Sequence, residues 1–271
     1  MAKAIVHSDY GSEIPLDSEP QVELYQDKFP KEPRVEGVVR VLYLCEPPVI
    51  KPLHKKIRKF AHEFDYILTF DPWVLKRYPH AHKFVYGTTW ADKAPAQREF
   101  SISSVIGTKR ITVGHRMRQK FWKKSGKVRT PLKLFFSRQF AEDGVPLPAE
   151  SLRLGEDKSV VFASRFHVAI ENCRMPDYFT EKIMDCFVTE TVPIYWGCTN
   201  IEEYFNPEGM IVCKSLGALI HACNNVTPDT YERMKPAIQE NRERAQQYTS
   251  VGDRLAEKLT ELLGKRKQVS V

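Results

Sequence analysis

Short apolar runs rich in β-branched residues alternate with longer helical segments, and this alternation occurs twice along the chain. Strands that alternate with helices form parallel sheets, because the chain must cross over before the next strand can run in the same direction. The pattern therefore predicts an α/β fold with two parallel sheets. The predicted strands are 38–45, 66–70, 83–86, 100–106, 132–136, 166–170, 192–196 and 210–213.

Proline and glycine positions mark where the helices are expected. A basic helix is predicted after Pro47-Pro48, and a helical turn after Asp71-Pro72, where proline suits the first helical position. Further helices are predicted at 114–124, 178–189 and within 228–264. Residues 1–36 contain one short apolar run and are otherwise polar and proline-rich, so little regular structure is expected there.

A small, polar segment at 91–99, interrupted by Pro95, has the composition of a linker. It predicts an N-terminal domain over 1–98 and a second domain over 99–271 that includes the helical tail. Open α/β sheets bind ligands beyond the carboxyl ends of their strands. We therefore expect both domains to direct their strand ends toward one cleft.

The composition is that of a soluble globular protein. The chain has 271 residues, of which 42% are hydrophobic and 28% charged, which excludes disordered, collagen-like and disulfide-scaffold classes. No apolar stretch approaches the roughly 18 to 20 residues of a membrane span, and the N-terminus has no apolar signal core, so a cytoplasmic protein is expected. Six cysteines without a C-x-x-C pair are predicted to be small buried apolar groups in a reducing compartment.

Positive charge is concentrated in residues 109–138, here called the basic block. No acidic residue occurs between Glu99 and Glu142. This imbalance favours an anionic partner, either a polynucleotide or the phosphates of a small ligand; the alternative is a solvated basic face. The block contains Lys109, Arg110, Arg116, Arg118, Lys120, Lys123, Lys124, Lys127, Arg129, Lys133 and Arg138.

The segment after the predicted strand 166–170 carries the densest set of functional groups. A polar loop leads to a helix that begins near Thr180 and has Glu181 and Lys182 in its first turn. A helix N-terminus offers unpaired amides and the positive end of the dipole, so Lys182 beside it makes a candidate diphosphate site. Glu181 can accept hydrogen bonds from ribose hydroxyls. Alternatively, Thr180 is a simple helix cap, Glu181 favours the dipole and Lys182 is solvent-exposed.

A recognisable motif surrounds this helix start. It consists of Glu171-Asn172, Tyr178, Thr180-Glu181-Lys182, Asp185, 192–197 and Phe205-Asn206-Pro207. The segment resembles the donor-binding motif of glycosyltransferase family 10, the α-1,3-fucosyltransferases, and especially its bacterial members. About 40 residues match closely, and weaker similarity extends over most of 38–215. The resemblance implies a GT-B fold with two Rossmann-like domains and an inverting transfer of fucose from GDP-fucose to a glycan hydroxyl.

The resemblance also implies roles for single residues. Glu181 corresponds to the glutamate that holds the ribose, while Lys182 and an arginine of an earlier helix hold the diphosphate. An Arg-x-x-aromatic-aromatic pattern assigns that arginine to Arg118, with Arg116 as the competitor. The donor-binding set also includes Glu171, Asn172, Tyr178 and Thr180. No Asp-x-Asp motif and no histidine pair with metal-ligand spacing occurs, so we expect no metal and no cofactor besides the donor itself. His115 and His167 are expected to be structural.

Glu46 is the candidate catalytic base. It follows a strand and precedes Phe64-Asp65-Tyr66, the order in which family members present their catalytic glutamate. An inverting transfer needs one carboxylate that removes the proton of the acceptor hydroxyl. The alternative is a solvated loop residue beside two prolines.

Three further expectations concern partners and other functions. The stretch before Glu46 looks short for this family's acceptor domain, so a reduced N-terminal domain is expected. The partners are a nucleotide-sugar donor and a glycan acceptor, with no nucleic acid, and Lys265, Arg266 and Lys267 are candidates for peripheral membrane contact. The alternatives are a transferase for another nucleotide sugar, an inactive glycan-binding relative, and a nucleic-acid-binding module that stacks bases on Phe121, Trp122, Phe135 and Phe136.

Overall fold

The computed structural model describes residues 2–9, 14–91, 95–137 and 150–269. Its strands are β1 (Ala2–Lys3), β2 (Ile5–His7), β3 (Asp17–Ser18), β4 (Val22–Gln26), β5 (Val39–Leu44), β6 (Tyr66–Thr69), β7 (Ala81–Lys83), β8 (Glu99–Ile106), β9 (Leu132–Phe136), β10 (Leu152–Arg153), β11 (Ser164–Ile170), β12 (Val192–Trp196) and β13 (Ile211–Val212). Its α-helices are α1 (His54–Phe60), α2 (Pro72–Arg77), α3 (Val113–Lys123), α4 (Glu181–Val188), α5 (Leu216–Asn225), α6 (Pro228–Ala245) and α7 (Val251–Val269). Short 3-10 helices lie at Ala61–Glu63, Ser125–Lys127, Ser159–Ala163, Ile201–Glu203, Pro207–Gly209 and Gln246–Tyr248.

The chain forms two compact units. The first unit comprises Met1–Tyr86 and Ser250–Val271, and the second unit comprises Gly87–Thr249. The first unit is built on a parallel sheet with the strand order β2-β4-β5-β6-β7. Every residue of β5 is buried, which is the pattern of a central strand covered on both faces.

Helix α7 covers one face of the first unit's sheet. Its buried Leu255, Leu259 and Leu262 share a core cluster with Val41 and Tyr43 of β5. The other face, with Leu42 and Leu44, packs against residues of α1 and α2. The predicted domain 99–271 therefore differs from the structure at its end, because residues 250–271 belong to the first unit. The leucines of α7 form an apolar stripe at helical spacing, and this stripe is buried against the N-terminal sheet.

The second unit has a parallel sheet with the order β10-β9-β8-β11-β12-β13. From β8 the chain proceeds outward through β9 to β10, and from β11 it proceeds in the opposite direction to β13. The chain order thus reverses between β8 and β11. At such a switch point the loops beyond the carboxyl ends of the strands diverge and leave a crevice for a ligand.

Two expectations about the first unit are wrong. Residues 1–36 contain regular structure, because Val22, Leu24 and Tyr25 of β4 are buried and β4 pairs with β5 along its whole length. The predicted strand 83–86 is β7 at Ala81–Lys83 instead. Its partner β6 ends at Thr69, which pairs with Lys83, so the chain leaves the ladder there.

The other predicted strands are found within one or two residues of their expected bounds. The cysteines are also as predicted, since all six are free and buried. Within the described ranges, no helix is long and apolar enough to cross a membrane.

Candidate functional site

Thr180 organises the start of α4. Its side chain caps the helix by accepting from the amide of Lys182 at 3.4 Å, and its hydroxyl also accepts from the Lys182 ammonium at 3.1 Å. Thr180 therefore caps the helix, and the Lys182 side chain is turned back toward the helix start. Because the first amides of a helix carry partial positive charge, Lys182 adds to a field that already favours an anion.

Glu171, directly after β11, holds Thr180 in place. Its carboxylate accepts from the Thr180 amide and the Thr180 hydroxyl, both at 2.8 Å, and the side chain is fully buried. Burial raises the pKa of Glu171, while the Lys182 ammonium 3.9 Å away acts in the opposite direction. Both oxygens of the Glu171 carboxylate are therefore directed at Thr180, the residue that caps α4.

Glu181 and Lys182 form an ion pair at the first turn of α4. The Lys182 ammonium donates to Glu181 Oε1 at 2.6 Å. Burial alone would raise the pKa of Glu181, but the charge and the hydrogen bond of Lys182 outweigh it and hold that pKa below its ordinary value. The carboxylate is therefore ionised at neutral pH and can accept hydrogen bonds from vicinal hydroxyls.

Arg118 lies on α3, the helix that follows β8 at the switch point, and its side chain is near Glu171 and Glu181. Its guanidinium donates to the carbonyl of Ile170 and to Asn172 Oδ1, the latter at 2.8 Å. Burial lowers its pKa from the ordinary value and the carboxylates of Glu171 and Glu181 raise it, so the group remains a cation at neutral pH. Two of its five N–H donors are used by these bonds, and the remaining ones are available to a ligand.

Arg116, the competing arginine, is exposed. Its guanidinium donates to the backbone carbonyls of Arg110 and Ile111, at 3.4 and 3.1 Å. Of the two arginines, Arg118 is the one whose hydrogen bonds are made to the last residue of β11 and to the loop after it.

Two glycines allow this part of the second unit to pack closely. A Cβ on Gly114 would lie 1.8 Å from the Glu171 carbonyl oxygen, so α3 begins in direct backbone contact with the loop after β11. The Gly114 amide donates to the Asn172 carbonyl at 3.0 Å. A Cβ on Gly197 would lie 2.3 Å from the Tyr195 hydroxyl oxygen and 2.5 Å from Glu171 Cγ. The absence of a side chain at Gly197 therefore allows the close approach of Tyr195 and Glu171.

Gly114 was not identified from the sequence. The signal for it is weak, because a lone glycine at the start of a predicted helix is equally consistent with a simple boundary. Its role depends on α3 meeting a loop more than fifty residues later in the chain.

Tyr178, two residues before Thr180, is buried. Tyr178 is 1% exposed. Asp177, which precedes it, adopts φ of 60° and accepts from Asn200 Nδ2 at 2.9 Å, while its amide donates to Asn200 Oδ1 at 2.8 Å. The loop before Thr180 is therefore held by side chains from the segment after β12.

The two histidines of this region have structural surroundings. His115 Nδ1 lies 2.7 Å from the Thr112 hydroxyl in a capping box at the start of α3. Burial, with the nearby cations Arg118 and Lys182, lowers the pKa of His115 to about 4. His167 lies 2.8 Å from the Ser103 hydroxyl, and burial lowers its pKa to about 3. Both imidazoles are neutral at neutral pH.

Glu46 lies at the carboxyl end of β5 in the first unit. Its amide donates to Asp27 Oδ2 at 3.2 Å, and the neighbouring Cys45 amide donates to Asp27 Oδ1 at 3.1 Å. Asp27 follows the adjacent strand β4, is buried, and has a φ of 50°. Glu46 also lines a small pocket with Lys51, Thr69 and Asp71. The backbone that carries Glu46 is thus fixed by a buried carboxylate, and its side chain is partly exposed.

The basic block is mostly a solvated face. Apart from Arg118 and Lys133, its described members are exposed; Arg138 lies outside the described residues. Lys133 forms an ion pair with Glu99. Phe121, Trp122 and Phe135 are at most 5% exposed and Phe136 packs against the same core, so these aromatic rings are not available to stack on nucleic-acid bases. The nucleic-acid alternative loses its stacking groups.

A protein metal site needs several His, Cys, Asp or Glu side chains directed at one point. In the part of the chain that the structure covers, no group of three or more His, Cys, Asp or Glu side chains is arranged to hold a metal ion.

The comparisons with known proteins agree with the sequence motif. Residues 144–226 match the model of glycosyltransferase family 10 (fucosyltransferase), C-terminal part. A segment of 47 residues is 38% identical to the α-(1,3)-fucosyltransferase FucT of Helicobacter pylori. That segment is 17% of this chain and 10% of the relative, so the chain spans about a tenth of that protein's length.

Solved structures establish the fold. A crystal structure of an α1,3-fucosyltransferase is 16% identical, with a TM-score of 0.51 over 81% of this chain and 69% of that one. Crystal structures of α1,3-fucosyltransferase with GDP and with GDP-fucose match equally well. The α,α-trehalose 6-phosphate synthase of Burkholderia multivorans is 9% identical, with a TM-score of 0.56 over 93% of this chain and 72% of that one. The chain therefore has a GT-B fold, and its residues 144–226 are similar to the C-terminal part of the fucosyltransferases of glycosyltransferase family 10.

Proposed function

We propose that this protein is an inverting glycosyltransferase that transfers fucose from GDP-fucose to a hydroxyl of a glycan acceptor. The observation that carries the proposal is the grouping of Arg118, Glu181 and Lys182 at the switch point of the second sheet. Two cations and an ionised carboxylate at a helix start suit a nucleoside diphosphate. Glu181 and Lys182 lie in the segment 144–226 that matches the fucosyltransferase family model, and the similar α1,3-fucosyltransferase was solved with GDP-fucose, which together support a guanine nucleotide sugar.

Each residue of the group has a role in the proposed donor complex. Lys182 and the free N–H groups of Arg118 bind the diphosphate, and Glu181 accepts from the ribose hydroxyls. Thr180 and Glu171 orient the helix start, Asn172 holds Arg118, and the buried Tyr178 supports the loop before Thr180. As the bond between the sugar and the diphosphate breaks, the two cations stabilise the negative charge that develops on the leaving group.

Glu46 is the proposed base. The acceptor oxygen forms a bond to the anomeric carbon on the side opposite the departing GDP, and its proton moves to the Glu46 carboxylate. The position of Glu46 at the carboxyl end of a parallel strand, on a backbone held by Asp27, supports this role. No metal ion takes part in the proposed reaction.

Binding and transfer are tested separately. In thermal-shift and calorimetric titrations with GDP, UDP and dTDP, we expect GDP to bind best and Lys182→Ala to weaken it by about tenfold or more. With labelled GDP-fucose and a panel of glycan acceptors, Glu46→Gln should lower transfer by about a hundredfold or more while GDP affinity stays unchanged.

Glu36→Gln, which alters an exposed glutamate of the same unit, serves as the control and should transfer like the wild type. A preference for UDP or dTDP would contradict GDP-fucose as the donor and indicate a nucleotide sugar other than GDP-fucose. Wild-type transfer rates in Glu46→Gln would remove Glu46 as the base.

A further inference from the structure

Trp90 is an exposed tryptophan in the second unit. It is 58% exposed, whereas the unit's other tryptophans, Trp122 and Trp196, are 3% and 4% exposed. An indole ring carries one of the largest apolar surfaces of any side chain, and leaving it in water forgoes the stabilisation that burial would bring. A fixed and exposed indole is therefore suited to a ligand with a flat apolar face.

The backbone of Trp90 is anchored to α4. Asp185 Oδ1 accepts from the Trp90 amide at 2.6 Å and from the Ala91 amide at 3.0 Å. Asp185 is 4% exposed, and burial raises its pKa to about 6, against the effect of these two amides. Asp185 lies four residues after Glu181, so the two carboxylates share one face of the helix. The anchor holds Trp90 one helical turn from the proposed ribose-binding carboxylate.

Lys158 holds the ring itself. Its ammonium lies 3.4 Å from the centroid of the Trp90 ring, in the geometry of a cation–π contact. Burial lowers the pKa of Lys158, and the carboxylates of Glu181 and Asp185 counteract that effect. The cation occupies one face of the indole, so the solvent-exposed area lies on the opposite face and the ring edges.

We infer that the open face of Trp90 is a stacking surface for the base of the nucleoside diphosphate donor. The inference rests on the proposed function, which assigns the diphosphate to Lys182 and Arg118 and the ribose to Glu181. In a nucleotide the ribose lies between the diphosphate and the base. The base therefore extends from Glu181 away from Lys182, and the neighbouring turn in that direction carries Asp185 and the anchored Trp90.

Stacking on Trp90 contributes affinity without choosing among bases, because every base has a π face. The ligand group that Trp90 recognises is thus the base of the donor in general. The choice of guanine is left to other groups.

The test compares a ligand that has a base with one that has none. Calorimetric titrations use GDP and inorganic pyrophosphate, with the wild type, Trp90→Ala, Trp90→Phe and Leu152→Ala. Leu152 is another exposed apolar side chain of the second unit and serves as the matched control. We expect Trp90→Ala to weaken GDP binding by about tenfold and Trp90→Phe by much less, with pyrophosphate binding unchanged in both.

The possible outcomes separate the inference from the proposed function. Equal GDP affinity of the wild type and Trp90→Ala, or an equal loss of GDP and pyrophosphate binding, overturns the stacking role and leaves the diphosphate site intact as a proposal. A wild type that binds neither GDP nor pyrophosphate overturns both. A loss specific to GDP in Trp90→Ala that phenylalanine restores supports the inference.

Discussion

The Thr180 hydroxyl and amide each donate a 2.8 Å hydrogen bond to the buried carboxylate of Glu171. We expect Thr180→Val to destabilise the protein by about 2 kcal/mol, because it removes the helix cap and leaves a buried oxygen with one partner fewer. Thr180→Ser keeps the hydroxyl and should stay within about 0.5 kcal/mol of the wild type. Urea unfolding of the three proteins measures both differences, and equal losses in both variants would contradict the role of the hydroxyl.

The guanidinium of Arg118, and not that of Arg116, should bind the diphosphate. We expect Arg118→Ala to weaken GDP binding by about tenfold or more, because a charge-assisted, partly buried contact is lost. Arg116→Ala should change it by less than about twofold, since an exposed charge is screened by salt. Titration calorimetry at fixed ionic strength decides between them. A larger effect of Arg116→Ala would reverse the assignment.

Gly114→Ala should be destabilising although alanine is the better helix former. The new Cβ would meet the Glu171 carbonyl oxygen at 1.8 Å and the Asn172 carbonyl carbon at 2.8 Å, so α3 must move away from the loop after β11. We expect a loss of about 2 kcal/mol or more in urea unfolding, together with weaker GDP binding.

The control is Gly126→Ala, where no atom lies within 4 Å of the added Cβ. That variant should be neutral or slightly more stable, because alanine restricts the unfolded chain. Indistinguishable stabilities of the two variants would mean that the helix adapts without cost.

Acid should destabilise the folded state through His115. Its pKa is about 4 in the folded protein and near 6.5 when unfolded, so between these values the unfolded chain binds a proton that the folded chain does not. The free energy of unfolding therefore falls as pH drops through this window, by up to about 1.4 kcal/mol per pH unit. We expect His115→Gln to gain stability relative to the wild type as pH falls from 7 to 4.5.

Urea titrations at several pH values measure this relative change. His167, with a pKa of about 3, acts in the same direction in both proteins. Asp185, with a pKa of about 6, acts in the opposite direction below pH 6, because the folded state binds its proton more tightly. Both contributions cancel in the comparison. A difference between wild type and His115→Gln that does not vary with pH would contradict the assignment.

The sequence was sufficient to predict those features that depend on residues close to one another in the chain. Thr180 caps α4 through an amide two residues away, and Asp71 caps α2 in the same way, with Pro72 at the first helical position. Buried strands such as β12 are recognisable from their continuous apolar residues. The family motif falls on this same local segment, which is why Glu181 and Lys182 could be proposed from sequence.

The positions of Arg118 and Gly114 in the site depend on the order of the strands in the sheet. Arg118 and Gly114 belong to α3, which follows β8, and they meet the loop after β11 because those two strands are neighbours in the sheet. Trp90 likewise reaches Asp185 across many residues of sequence. Periodicity and capping signals act within a few residues and carry no information about which strands pair.

The sequence by itself determined an α/β chain with parallel sheets, most strand positions, and a polar helix start with the features of an anion site. Only the tertiary structure decided that α7 packs on the N-terminal sheet, that β4 is a buried strand, and that Glu171 faces Thr180. The physical reason is the range of the forces. Hydrogen bonds of a helix cap form between near neighbours, whereas burial of an apolar face or a carboxylate depends on segments brought together from the whole chain.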